Sequence, residues 1–328
     1  MWLFLIICLG LCWLVRYYRE VYVDNGSVGE AYDIFTDCFY PLRSDFTGAG
    51  YNGDFTLSLE QAQQNKYDRI FEFLGFKKGD VVLDVGCGWG YLVEEVNRRG
   101  GKGIGITLSK KQVEAGVNRG LDLRILNWKN IDVGKFGKVD HVVSVGAFEH
   151  FVSPGEGAKP HVHDGVYDSY FRFCHEILKD NGRMYLQTMT FTKTGEEVAR
   201  RVCYDIDVAL ATPVGSNDYL FALLTYFYPE SFLPLGFEHI ERTAKPYFGV
   251  ATHNSGRKDY IITMIEWGKR LEKFPFRYKL WLYCKYVPLM LVNKKIWYSY
   301  LSFKNEANYE AFKRELFEHE RIYFIKKT

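Results

Sequence analysis

Val81-Val82-Leu83-Asp84-Val85-Gly86-Cys87-Gly88-Trp89-Gly90 is an apolar run that ends in an acid and passes straight into alternating glycines. It reads as a buried strand, a tight turn and the start of a helix, because glycine tolerates left-handed backbone and lets a ligand approach the chain closely. The helix expected from Tyr91 to Arg99 would aim its free N–H groups at the same place. A nicotinamide-binding strand would look similar, so the next strand has to separate the two readings.

A dinucleotide site needs an acid at the tip of the second strand to hold a ribose hydroxyl. That tip reads Gly103-Ile104-Gly105-Ile106-Thr107-Leu108-Ser109, without a carboxylate, while Thr107 and Gln112 offer neutral hydrogen-bonding groups. The expected ligand is therefore S-adenosylmethionine rather than a hydride carrier.

A net charge of +2 gives no electrostatic case for nucleic acid, and 47% hydrophobic residues exclude disorder. The length, 328 residues, suits one sizeable domain with appendages. Seven cysteines, with no C-x-x-C and no Cys/His set at zinc spacing, argue against a disulfide framework and a structural metal, and for a reducing compartment. No metal site is expected.

Trp2 to Val15 is an unbroken apolar run followed by Arg16, Tyr17, Tyr18 and Arg19. It is shorter than the ~20 residues of a full span, but the aromatics and Val21 to Val23 extend it through the interface. An uncleaved membrane anchor over residues 1–23 is expected. The alternative, a cleaved signal peptide, lacks both a leading Lys or Arg and a small-x-small site. Arg16 and Arg19 would leave the catalytic portion in the cytosol. Cys8 and Cys12 read as packing residues, with lipid attachment the other reading.

Residues 24–57 read as an irregular lid segment rich in Gly, Asp and aromatics. Ser58 and Gln61 form a capping box for a helix to Leu74, which Gly75 ends. Strands at 81–85, 102–106, 122–126, 139–145 and 183–189 then alternate with helices near 90–99, 109–119 and 167–179, which implies a mostly parallel sheet with helices on both faces. Thr190 to Tyr247 reads as a helical, aromatic lid insertion, and Lys258 to Trp267 as a late strand closing a catalytic domain that spans 58–270. From 271 to 328 a helical tail is expected. Between Phe274 and Phe303 its aromatics interleave with Lys279, Lys285, Lys294 and Lys295, as in a membrane-surface helix or an ordinary capping helix.

Three motifs together, the glycine strand, Gly105 to Gln112, and Ser144-Val145-Gly146-Ala147-Phe148-Glu149-His150-Phe151, resemble the cyclopropane-fatty-acid synthase and mycolic acid methyltransferase family. The resemblance covers roughly residues 30–267. It implies a Rossmann-like class I methyltransferase acting on a lipid or unsaturated acyl chain. Residue by residue, it implies that Asp84, Gly86, Gly88 and Gly90 hold the methionine part of the cofactor and that Thr107 and Gln112 hold its ribose. Trp128 would flank the adenine, or else be a packed core indole; Val145 and Gly146 would line the sulfonium, and Tyr51 would close over it.

In synthases of this family the new carbocation loses a proton to bicarbonate, oriented by a Glu, a Cys and a His. The Glu position is Glu149, and Tyr247 matches a family tyrosine near the reacting centre. No Cys occurs around Tyr51 to Phe55, however, and Gln187 stands where the His should be. Bicarbonate use is thereby in doubt and simple methyl transfer is preferred, with a cyclopropane-forming synthase, a small-molecule N- or O-methyltransferase and a non-catalytic cofactor-binding scaffold as alternatives. His150 could act as a base or cap a helix end, and the second reading is preferred.

Overall fold

The first strand, β1 (Val81–Val85), lies inside a seven-stranded sheet, as its burial on both faces requires. β2 (Lys102–Thr107), β3 (Leu123–Ile125), β4 (Val139–Val145) and β5 (Leu178–Phe191) run parallel to it. β6 (Phe248–Ser255) and β7 (Phe317–Lys326) complete the order β3-β2-β1-β4-β5-β7-β6, with β7 antiparallel to both neighbours. This computed structural model describes residues 27–328, so the anchor expected over 1–23 lies outside the described residues. No helix among the described residues is long and apolar enough to cross a membrane.

Alternation along the strands divides the core. Val82, Val143, Tyr185 and Tyr323 meet the Leu59–Leu74 and Tyr91–Arg98 helices on one face. Leu83, Val142, Met184, Leu186 and Phe324 meet Tyr167, Phe171, Cys174 and Ile177 of the Pro160–Ile177 helix on the other. Ser58 and Gln61 make the reciprocal cap, and Gly75 ends that helix in the left-handed conformation.

Three expectations are corrected. Residues 24–57 are not wholly irregular: Val28–Phe39 is a helix, capped by a Ser27/Glu30 box, that buries Phe35, Thr36 and Phe39. Lys258 to Trp267 is not a strand but part of the Arg257–Glu272 helix. Its Ile261, Ile262 and Thr263 favour strands, yet Tyr260, Thr263 and Trp267 bury at helical spacing, and burial outweighs so weak a propensity. The third concerns residues 271–328. Phe276–Val292, Lys294–Lys304 and Ala307–Lys313 are helices, but the chain then returns as β7 between β5 and β6 and is integral to the sheet. The 190–247 insertion is helical, with elements at Lys193–Tyr204, Ile206–Leu210, Asn217–Phe227 and Gly236–Ala244.

Because Phe324 is fully buried in the last strand, Phe324→Ala should lower the unfolding free energy by about 3–5 kcal/mol in urea titration. A loss too small to measure would mean that β7 packs as an appendage.

Candidate active site

The strand order reverses between β1 and β4, and at that point a crevice opens outside the carboxyl ends of the strands. A cavity of about 200 Å³ occupies it. The end of β1 supplies Asp84 and the turn after it Gly86 and Gly88, the end of β2 supplies Thr107 and the Lys110–Val117 helix Gln112, and Trp128, Val145 and Gly146 complete that end of the wall. Thr107 Oγ1 donates to Gln112 Oε1 at 2.6 Å, which fixes both polar groups at the rim.

The three glycines do different work. All have positive φ, but only at Gly88 would a Cβ point into largely open space, its nearest neighbour being Gln112 Nε2 at 3.9 Å. At Gly86 it would collide with Ala147, and at Gly90 with Leu121 and Leu123. Gly90 does not line the cavity; it starts the Tyr91–Arg98 helix. Burial, with the nearby charge of Asp45, pushes the Asp84 carboxyl up to about 8. A buried acid beside a glycine floor and a neutral hydrogen-bonding rim fits S-adenosylmethionine, whose ammonium and sulfonium are cations and whose ribose carries hydroxyls.

Trp128 both lines the cavity and packs in the core, with Tyr170 edge-on at 5.2 Å and Phe151 at 5.4 Å. Tyr51 does not line the cavity. It is buried beyond it, 6.1 Å from Phe55, its hydroxyl unpartnered and raised to about 12 by burial and Glu266. Asp45 to Gly48 face the cavity instead. That segment is held by Lys66, whose Nζ lies 2.5 Å from Asp45 Oδ2 and 2.6 Å from Thr47 Oγ1, and by Gln63, which donates to the Thr47 carbonyl at 2.8 Å.

Glu149 follows β4 and is 1% exposed. Its Oε1 accepts from the Met189 backbone N–H at 2.7 Å, while Oε2 is buried without a partner. Burial drives this carboxyl up to about 7, against the lowering effect of the Met189 N–H. Tyr32, Tyr228 and Tyr260 line the same end, their phenols held above the usual range by burial and, in part, by the Glu149 charge.

Tyr247 is not among these groups. It precedes β6, at the end of the sheet away from the crevice, where its hydroxyl donates to Asp168 Oδ1 at 3.1 Å. Tyr260, at the start of the helix after β6, occupies the place expected for it. His150 is held at both nitrogens, by Tyr32 Oη at 2.8 Å and Ser231 Oγ at 2.6 Å, and burial pushes it down to about 4. It braces the first helix against the insertion.

Gln187 is fully engaged: it accepts from Tyr185 Oη at 2.8 Å and donates to the Gly48 carbonyl at 2.9 Å. Sequence reasoning missed His319, on β7, which lines the cavity and stacks on Tyr260 at 4.6 Å. Gly48 permits this approach, since a Cβ there would lie 2.6 Å from the His319 ring. Burial, then the charges of Arg321 and Lys66, hold His319 far below the usual histidine range, so the ring is neutral. A second, apolar cavity of about 300 Å³ shares Phe35 with the first and runs between the Val28–Phe39 helix, Phe227 and Pro229 of the insertion, and the Phe276–Val292 and Lys294–Lys304 helices.

Residues 23–280 match the family described as mycolic acid cyclopropane synthetase. The chain is 29% identical over 228 residues to cyclopropane mycolic acid synthase 2 of Mycobacterium leprae, covering 66% of this chain and 69% of that protein. It is 31% identical over 253 residues to hydroxymycolate synthase MmaA4 of Mycobacterium bovis, covering 74% and 76%. The fold is similar to that of mycolic acid cyclopropane synthase CmaA1 complexed with SAH and CTAB, with a TM-score of 0.64 at 24% identity over 90% of this chain and 94% of that one.

Calorimetry should show loss of S-adenosylmethionine binding in Gly88→Val, through a filled cavity and a forbidden backbone. Because ionised Asp84 favours a cationic ligand, binding should strengthen as pH rises toward about 8 and release protons below it. Titration in buffers of different ionisation enthalpy checks this, and the buffer dependence should vanish in Asp84→Asn.

Proposed function

The chain belongs to the mycolic acid cyclopropane synthetase family of S-adenosylmethionine-dependent enzymes, and we propose that it transfers a methyl group to an unsaturated acyl chain of a lipid. The observation that carries this reading is Glu149, a buried carboxyl with one free oxygen among the phenols of Tyr32, Tyr228 and Tyr260, in a cavity that shares Phe35 with an apolar one. When bound, S-adenosylmethionine supplies an electrophilic methyl on a positively charged sulfur. The protein holds the acceptor. Carboxylate and aromatic faces stabilise the positive charge that develops on the acyl carbon as the new bond to the methyl forms and S-adenosylhomocysteine leaves; ionised Glu149 is placed to take the proton that the cation then sheds to give a methyl-branched alkene, and the buried site keeps water from capturing the cation. Asp84, Gly86, Gly88, Thr107, Gln112, Trp128, Val145 and Gly146 are proposed to hold the cofactor.

Simple methyl transfer is the preferred outcome because Gln187 is neutral and spent on Tyr185 and Gly48, and the stretch from Tyr51 to Phe55 offers no thiol. Ring closure is the second reading, favoured by one observation: neutral His319 lines the cavity and provides a proton acceptor that is not bicarbonate. We also propose that residues 1–23 tether the enzyme to a membrane with the catalytic domain in the cytosol, on the strength of the apolar run and the arginines that follow it.

Glu149→Gln should cut turnover on the order of a hundredfold or more and leave cofactor affinity nearly unchanged. Since the raised carboxyl must be ionised to act, kcat/KM of the native enzyme should rise with pH through about 7, and that limb should disappear in the variant. Removing bicarbonate should leave the rate intact. Lipid mass spectrometry of cells with and without the enzyme reads the product as a gain of one methylene, and NMR of the purified lipid distinguishes a branch from a ring.

A further inference from the structure

We propose that the Phe276–Val292 and Lys294–Lys304 helices form a docking face for an anionic lipid bilayer, from which an acyl chain reaches the reaction cavity through the apolar cavity behind them. This rests on the acyl-chain reading above. The Phe276–Val292 helix is apolar nearly all round, yet only Tyr286 and Leu289 are buried. A helix of that composition is normally enclosed.

Nine of the seventeen large exposed apolar side chains among the described residues lie between Phe276 and Phe303. Phe276 is 77% and Leu291 82% exposed, and Trp281, Tyr283 and Trp297 lie on the same two helices. Such a concentration marks a surface that something covers.

Charge identifies the occupant. From Lys273 to Lys304 there are seven Lys or Arg and no Asp or Glu, in a chain whose net charge is only +2. Lys285 is taken by Asp37, but Arg277, Lys294, Lys295 and Lys304 are exposed. Aromatic side chains interleaved with exposed cations suit the headgroup region of an anionic bilayer, the rings at the acyl boundary and the amines among phosphates.

Position agrees with charge. The inner sides of the same helices, through Leu282, Met290 and Ile296, wall the apolar cavity, and Phe35 borders both it and the reaction cavity. The opposite wall is the Val28–Phe39 helix, at which the described chain begins, soon after the apolar run of residues 2–15.

The test uses the full chain and vesicles of phosphatidylcholine with or without phosphatidylglycerol, carrying brominated acyl chains that quench tryptophan at bilayer depth. Quenching should increase with phosphatidylglycerol and fall in the Trp281→Tyr/Trp297→Tyr variant. Arg277→Glu/Lys294→Glu should raise KM for vesicle lipid on the order of thirtyfold, while turnover of a soluble short-chain acyl substrate and cofactor binding stay unchanged. Quenching that ignores Trp281 and Trp297, or vesicle kinetics that ignore the charge reversal, would overturn the proposal. So would a concentration-dependent dimer that the charge reversal dissolves, since a second copy would then cover the face. Failure to methylate any acyl substrate, with quenching intact, would instead sink the functional reading and leave the docking face standing.

Discussion

The buried ion pair between Arg321 and Asp259 fixes the reacting end of the site. The two groups lie 2.8 Å apart with side chains only 6% and 8% exposed. Arg321 also donates to the Ala49 carbonyl at 2.6 Å, Asp259 accepts from the Asn52 backbone at 3.1 Å, and Ala49 donates to Thr263 at 3.0 Å. One interaction therefore joins β7, the Arg257–Glu272 helix and the loop that follows the first helix, and so sets His319, Tyr260 and Gly48 against one another. Buried charges cost much to desolvate, and removing one partner typically costs about 3–5 kcal/mol because the other is left stranded. Such a pair is a means of holding geometry more than a source of stability.

That framework explains how charge is distributed in the cavity. Cations sit behind the Asp45 to Gly48 wall, where Lys66 is matched by Asp45, while the reacting end keeps one carboxyl, Glu149, partnered on one oxygen only. His150 and His319 are both pressed toward neutrality by burial, so neither adds a positive charge where a cation is to form. The site is arranged to tolerate a positively charged acceptor, and the scarcity of strong bases near it follows from the same burial.

The cofactor end was legible in the sequence because its demands are local: glycines in a turn, a strand before and a helix after. The reacting end was not, since residues far apart in sequence build it. Tyr247 and Tyr260 are both tyrosines near β6, but one precedes the strand and the other follows it, which places them at opposite ends of that strand. β7 was hidden because Glu318, His319, Glu320 and Arg321 break the apolar alternation of a buried strand; each is tolerable only through a tertiary partner, such as Asp259 for Arg321 and His253 for Glu320. The first helix carried a readable signal, the Ser27/Glu30 box, which its Gly and Asp content obscured. Tyr51 stands apart from the cavity, which Asp45 to Gly48 face, and its ring lies near Phe55.

The Val28–Phe39 helix connects the parts. Asp33 accepts from Ser109 Oγ at 2.5 Å and from the Lys111 backbone at 3.0 Å, beside Gln112 on the cofactor rim. Tyr32 reaches His150 next to Glu149, and Phe35 borders both cavities. Burial alone would raise the Asp37 carboxyl, but hydrogen bonds from Lys111, Lys285 and Tyr286 outweigh it and hold the group ionised, tying the cofactor side to the Phe276–Val292 helix. Three polar side chains on one helix, Tyr32, Asp33 and Asp37, thus reach His150 beside the acid, the cofactor rim and the Phe276–Val292 helix. A shift of this helix along its axis would disturb all three contacts together, so the geometry links the cofactor and acyl ends through a rigid element rather than through the flexible side chains between them.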